Sequence, residues 1–150
     1  MELTATAPVT ETTKSIAETT HPLDPPSLLV IDDDPVHRMV ITRIGEKAGY
    51  AITAVATADG ATAEIRKRKF DCISLDLSLG GTNGALLLSD IAAHNGQALL
   101  IVISGASAAT REDTLVLALK LRLNVIEAPK PVDLANLRSK LMLNLASPKT

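Results

Sequence analysis

Apolar residues in this chain fall into short blocks separated by longer amphipathic stretches, and two rhythms alternate. Leu28-Leu29-Val30-Ile31 is a continuous apolar run, the pattern of a strand covered on both faces. Pro35 then stands where a helix tolerates proline, in its first turn, and Val36, Met39, Val40, Ile44 and Ala48 recur at helical spacing before Gly49 stops them. A second strand is predicted over 50–55 and a polar helix over 59–69, with Ala61, Ala63 and Ile65 as its apolar contacts. Cys72-Ile73-Ser74-Leu75 forms a third strand, followed by a loop with Gly80, Gly81 and Gly84 and a helix carrying Leu87, Leu88 and Ile91. A fourth strand is predicted over 98–103, a fourth helix over 110–122 and a short fifth strand over 124–128. The last helix starts near Asp133 and sets Leu134, Leu137, Leu141 and Leu145 along one face.

Strands alternating with helices predict an α/β protein, a doubly wound parallel sheet of five strands with five helices. Right-handed crossovers leave few topologies open, and such sheets bind ligands beyond the carboxyl ends of their strands. Residues 1–26 differ in kind. They are dominated by Thr, Ala, Pro and Glu, offer little apolar surface to offset ordering entropy, and are expected to form a loosely ordered tail. The predicted organisation is therefore a tail at 1–26, one domain at 27–146 and a short tail at 147–150.

Composition narrows the chemistry. The chain of 150 residues is 46% hydrophobic with a formal net charge of −2, enough for one core and without the basic face that nucleic acid calls for. Tyr50 and Phe70 are the only aromatic residues, so no stacking platform for bases is expected. A lone cysteine, Cys72, fits a reducing compartment and reads as a small core filler. The apolar runs are far short of the roughly 18 residues a membrane span needs, and the first residues carry no export signal. A cytoplasmic protein is expected.

The polar residues that follow strands form a chemical set. Asp32, Asp33 and Asp34 come after the first strand, Asp76 after the third, Ser104 after the fourth, and Lys130 with Pro131 after the fifth. Two carboxylates about 5 Å apart repel by roughly 3 kcal/mol at an effective dielectric of 20, so a cluster of them calls for a cation or a proton. An oxygen-lined site suits Mg²⁺. Beside such a site a carboxylate can act as nucleophile towards phosphorus, while a hydroxyl and an ammonium stabilise the oxygens in transfer.

The segments LLVIDDDPVHR, SLDLSLGGTNG, VISGAS and APKPVD resemble, in order, the signature segments of response-regulator receiver domains. The resemblance covers about residues 27–146 and implies a flavodoxin-like strand order, 2-1-3-4-5. It implies Asp76 as phosphoacceptor, Asp33 as a direct Mg²⁺ ligand and Asp32 as the holder of a metal-bound water. The backbone carbonyl of Ser78 matches the main-chain metal ligand, Ser104 the hydroxyl that follows the phosphoryl group and Lys130 its salt-bridging partner. Pro131 matches a position whose preceding peptide is often cis. The implied partners are a sensor histidine kinase or histidine phosphotransfer protein upstream and a protein target downstream, with neither nucleic acid nor membrane. The chain ends a few residues after the last helix, so a stand-alone receiver without an output domain is expected.

Some positions depart from that pattern. Gly80 replaces the usual proline, which predicts a more mobile loop, and Glu127 replaces an aromatic residue that couples the hydroxyl to the output surface. The activation signal is then expected to travel through the Ser104 loop and the fourth helix. Ser78 and Ala106 are small and predict little shielding of an acyl phosphate. Asp34 reads as a helix cap. His37 could be a phosphohistidine or a metal ligand, but it reads as a solvated helix residue, as does His94. The run from Arg66 to Lys69 reads as a solvated helix end. On the fourth helix, Leu115, Ala118 and Leu119 are expected to pack on the sheet. Leu117 and Leu121 would then stay outside as a strip for a homodimer or a partner. Two other functions compete. One is a degenerate receiver acting as a binding module. The other is a haloacid-dehalogenase-like phosphohydrolase using Asp32, Asp34, Ser104 and Lys130, which leaves Asp76 without a task.

Overall fold

The computed structural model describes residues 24–79, 84–105 and 108–146. The expectations for the tails, for Gly80 and Gly81, and for Ala106 fall outside those residues, apart from 24–26. Five parallel strands form one sheet: β1 (Ser27–Ile31), β2 (Ala51–Val55), β3 (Cys72–Asp76), β4 (Leu99–Ser104) and β5 (Asn124–Pro129), in the order β2-β1-β3-β4-β5. The predicted fold class and strand order are both observed. The connecting helices are α1 (Pro35–Lys47), α2 (Ala58–Lys67), α3 (Leu88–Asn95), α4 (Ala108–Lys120) and α5 (Leu134–Ala146), with a 3₁₀ turn at Gly84–Leu87 leading into α3.

The sequence rhythm explains this arrangement. β3 and β4 are buried throughout and β1 nearly so, whereas β2 and β5 are only half-covered. The continuous apolar runs are thus the interior strands, and the weaker runs are the edges. Alternate residues of each interior strand feed opposite faces. Leu29, Ile31, Ile73, Leu75, Leu100 and Val102 face one core with Ala61, Ile65, Leu88, Ile91 and Ala118 from α2, α3 and α4. Leu28, Val30, Cys72, Ile101 and Ile103 face the other with Ile41 of α1 and Leu137 and Leu141 of α5. Cys72 is buried, as its reading as a core filler required.

Helix ends are set by local chemistry. Asp34 caps α1, its side chain accepting from the Val36 and His37 amides with Pro35 at the first helical position. Thr57 caps α2 through the Gly60 amide, so that helix begins one residue earlier than predicted. Arg68 leaves it in extended conformation. α4 stops at Lys120 because Arg122 adopts a left-handed φ of 61° and the Leu123 amide returns to the Ala118 carbonyl.

The surface of α4 corrects the sequence reading. Thr114 and Ala118 face inward, and Leu121 packs partly against the core. Leu119 is 66% exposed and Val116 50%. The inward stripe is turned by about one position because Thr114, whose hydroxyl donates to the Thr110 carbonyl at 2.9 Å, can be buried without an unmet donor. Leu121 lies in the turn beyond the helix and folds back. The exposed strip therefore consists of Val116, Leu117 and Leu119.

Candidate functional site

The carboxyl edge of the sheet collects the polar residues. Asp32 follows β1 and is 1% exposed; Asp76 closes β3 at 2%, and Ser104 closes β4 at 2%. The ladder continues past the strands, with the Leu77 amide on the Ile103 carbonyl at 3.1 Å and the Lys130 amide on the Ser104 carbonyl at 3.0 Å. These bonds place the turn after Asp76 and the lysine after β5 at the same edge.

Asp76 is held from both sides. Its Oδ1 accepts from the Ser78 amide at 3.0 Å and the Ser78 hydroxyl at 2.9 Å, and its Oδ2 accepts from Lys130 Nζ at 3.2 Å. Burial pushes its pKa up, but the Ser78 amide and hydroxyl and the Lys130 ammonium outweigh burial, and the net shift is downward. Asp76 is therefore a carboxylate at neutral pH. The Lys130–Pro131 peptide is cis. The sequence reading expected a cis bond at that one position.

Asp32 has the opposite balance. Its Oδ1 accepts from the Asp34 amide at 2.9 Å, its Oδ2 contacts His37 Nδ1, and its carbonyl accepts from Arg38 Nη1 at 2.8 Å. Burial, aided by the charge of Asp76, outweighs the Asp34 and His37 hydrogen bonds and raises its pKa. One ligand atom from each of Asp32, His37 and Asp76 lies within 4.8 Å of the others. Two buried carboxylates that repel each other, with hard oxygen donors converging, fit a divalent cation such as Mg²⁺. Asp33 is exposed and is not one of those three. Asp34 is spent as the α1 cap, which removes the second acid that the phosphohydrolase reading needed.

His37 is the residue the sequence reading passed over. It was read as a solvated helix residue, yet it lies 23% exposed against Asp32. Side chains in a first helical turn lean towards the helix N-terminus, so the third residue of a helix that starts beside an acidic strand end is directed back at those acids. That signal was present in the sequence. His94 does lie at a helix end, where its carbonyl accepts from Lys69 Nζ. Arg66 pairs with Asp90, and Arg68 with Glu64 and Thr53.

Glu127, at the position where the resemblance implies an aromatic residue, is paired with a charge. Arg111 Nε of α4 stands 2.8 Å from Glu127 Oε2, an ion pair by proximity that lacks hydrogen-bond alignment. Tyr50 and Phe70 are engaged elsewhere, Tyr50 through its hydroxyl on the Leu141 carbonyl and Phe70 under the Arg68 guanidinium.

A five-stranded parallel sheet in this order with an acidic pocket at its carboxyl edge defines a doubly wound α/β domain with a candidate cation site. The chain belongs to the response regulator receiver domain family, which it matches over residues 28–142, and so to two-component signalling. It is 35% identical over 80 residues to the nitrogen assimilation regulatory protein NtrX of Azorhizobium caulinodans, covering 52% of this chain and 18% of that one. The chain thus spans less than a fifth of that relative's length. A response regulator from Burkholderia pseudomallei, solved with a phosphorylated aspartic acid, a calcium ion and citrate, superposes with a TM-score of 0.65. It is 28% identical, over 82% of this chain and 75% of that one. The receiver domain of a sensor histidine kinase from Pseudomonas aeruginosa PAO1, with magnesium in its active-site cleft, shares the fold. Its TM-score is 0.68 at 24% identity, over 83% of this chain and all of that one. Among the described residues, no helix is long and apolar enough to cross a membrane.

Proposed function

We propose that this receiver accepts a phosphoryl group on Asp76 from a phosphohistidine donor, in a Mg²⁺-dependent reaction, and that the phosphorylated state changes its protein contacts. The observation that carries the proposal is the setting of Asp76, a buried carboxylate kept ionised by Ser78 and Lys130 beside a second buried carboxylate. An Asp76 oxygen attacks phosphorus as the bond to the donor's imidazole nitrogen breaks, and the electron pair leaves with that nitrogen. Lys130 follows the charge on the phosphoryl oxygens, and the Ser104 hydroxyl, at the neighbouring strand end, binds one of them. Asp32 and Asp33, with the Ser78 carbonyl, would hold the cation together with Asp76. When bound, Mg²⁺ supplies neutralising charge to the carboxylates and the phosphoryl oxygens.

The donor is a sensor histidine kinase or a histidine phosphotransfer protein, and the acceptor surface acts on a downstream protein, in the cytoplasm. With Glu127 paired to Arg111, the change at Ser104 reaches α4 through the segment that joins them. The exposed Val116, Leu117 and Leu119 are the surface on α4 where a second copy or a target would read it.

Intact mass after incubation with acetyl phosphate tests this. One phosphoryl group is expected on the wild type with Mg²⁺, none with a chelator and none on Asp76→Asn. Equal gain on the variant would show that Asp76 is not the acceptor.

A further inference from the structure

We propose that His37 is a nitrogen ligand of the acidic site. The site would then hold first-row transition-metal dications, Mn²⁺ or Co²⁺, with a larger preference over Mg²⁺ than an all-oxygen pocket would show. The inference rests on the reading of Asp32 and Asp76 as a cation site and adds a donor of different chemistry to it.

His37 is fixed in place by its own backbone. It is the third residue of α1, its amide is bonded to the Asp34 cap at 3.3 Å, and Pro35 sets the first turn. Its ring is turned towards the sheet edge, with Nδ1 on Asp32 Oδ2. One nitrogen of that ring and one oxygen from each of Asp32 and Asp76 lie within 4.8 Å of one another, so a single ion can meet all three. The nearby cationic groups are already engaged: Lys130 on Asp76 and Arg38 on the Asp32 carbonyl. Neither takes the His37 ring. A neutral imidazole is a poor partner for Mg²⁺, which selects oxygen and water, but a good one for later divalent ions. Binding through Nδ1 requires the ring proton to stand on Nε2, so in the metal-bound state the Nδ1 contact to Asp32 is exchanged for a bond to the ion.

The test is direct binding at one fixed pH. Co²⁺ and Mg²⁺ affinities are measured calorimetrically for the wild type and for His37→Gln. Loss of even an outer partner of a metal site typically costs about 10–100-fold in affinity. The Co²⁺ to Mg²⁺ preference should therefore fall at least about tenfold in the variant, chiefly through weaker Co²⁺ binding. Pulsed electron paramagnetic resonance of the Mn²⁺-loaded wild type should show coupling to a histidine nitrogen. The other histidines, His21 and His94, are controlled by a His21→Gln/His94→Gln protein, which should keep that coupling. An unchanged preference in a folded His37→Gln, or no nitrogen coupling in the wild type, overturns the proposal. Should His37→Gln fail to fold, the coupling in the double variant decides alone. If neither ion binds the wild type, the cation-site reading itself fails, and this inference with it.

Discussion

At the scale of single residues, two buried carboxylates a few ångströms apart are driven in opposite directions. Asp76 has two bonds from Ser78 and one from Lys130, and its ionised form is the favoured one. Its lowered pKa contributes stability above the ordinary carboxylate value, which is lost as pH falls through the folded value. Asp32 is raised by burial and by Asp76, so its contribution is full below its ordinary value of 3.8 and lost as pH rises through the raised one. At neutral pH without divalent cations, Asp32→Asn should therefore stabilise the fold and raise its Tm. Added Mg²⁺ should raise the wild-type Tm and leave the variant's nearly unchanged. A variant that melts lower than the wild type without metal would contradict this. Tyr50 gives a second residue-level check. Burial, with smaller contributions from the Cys72 and Asp71 charges and against the Asn144 hydrogen bond, pushes its hydroxyl up to about 12. It is the chain's single tyrosine, and there is no tryptophan, so phenolate absorbance reports on it alone. Titration should show a midpoint near 12, with the stability tied to the protonated phenol lost as pH rises from about 10 to that value. A midpoint at the free-tyrosine value would show that Tyr50 is not buried.

At the scale of elements, backbone positions decide what can be exchanged. Gly45 of α1 packs so close to the sheet that an added Cβ would meet Ile52 Cδ1 and Leu28 Cδ2, each at 2.7 Å. Gly45→Ala, which would normally strengthen a helix by about 1 kcal/mol, should here cost about 1–3 kcal/mol in chemical denaturation through overpacking. Arg122 is the reverse case. Its left-handed φ at the end of α4 suits glycine, so Arg122→Gly should gain about 1 kcal/mol. Stabilisation by the first or loss by the second would mean these helix ends are built differently. The Arg111–Glu127 pair ties α4 to β5 away from the acidic pocket. Glu127→Ala should thus leave the phosphoryl gain by intact mass unchanged while altering binding of a downstream partner. Loss of phosphorylation would place Glu127 in the reaction.

At the scale of the whole molecule, what was legible in the sequence follows from how each feature is encoded. The five strands and the two-sided core were readable because parallel strands buried on both faces leave continuous apolar runs, as in Leu28–Ile31 and 98–103, whereas the strand order came from the resemblance of the signature segments. The convergence of Asp32, Asp76, Ser104 and Lys130 was readable because each ends or follows a strand, and all strands of a parallel sheet end at one edge. His37 was missed because its role depends on the direction in which a first-turn side chain leans, not on spacing. The α4 surface was misread because leucines at 115, 117 and 119, with Leu121 just beyond the helix, fit more than one rotation of it. The buried Thr114 selects between them through a bond to its own backbone. Asn95 was not read at all: its side chain serves the Phe70 amide and the Ile65 and Arg68 carbonyls, a long-range arrangement with no local signature. The central claim is that Asp76 carries the phosphoryl group as an acyl phosphate. It is tested most directly by treating the protein with acetyl phosphate and Mg²⁺, reducing with borohydride and mapping the peptides by mass. Conversion of Asp76 to homoserine, abolished by a chelator, is the expected result; an unmodified Asp76, or homoserine at another aspartate, would contradict the account.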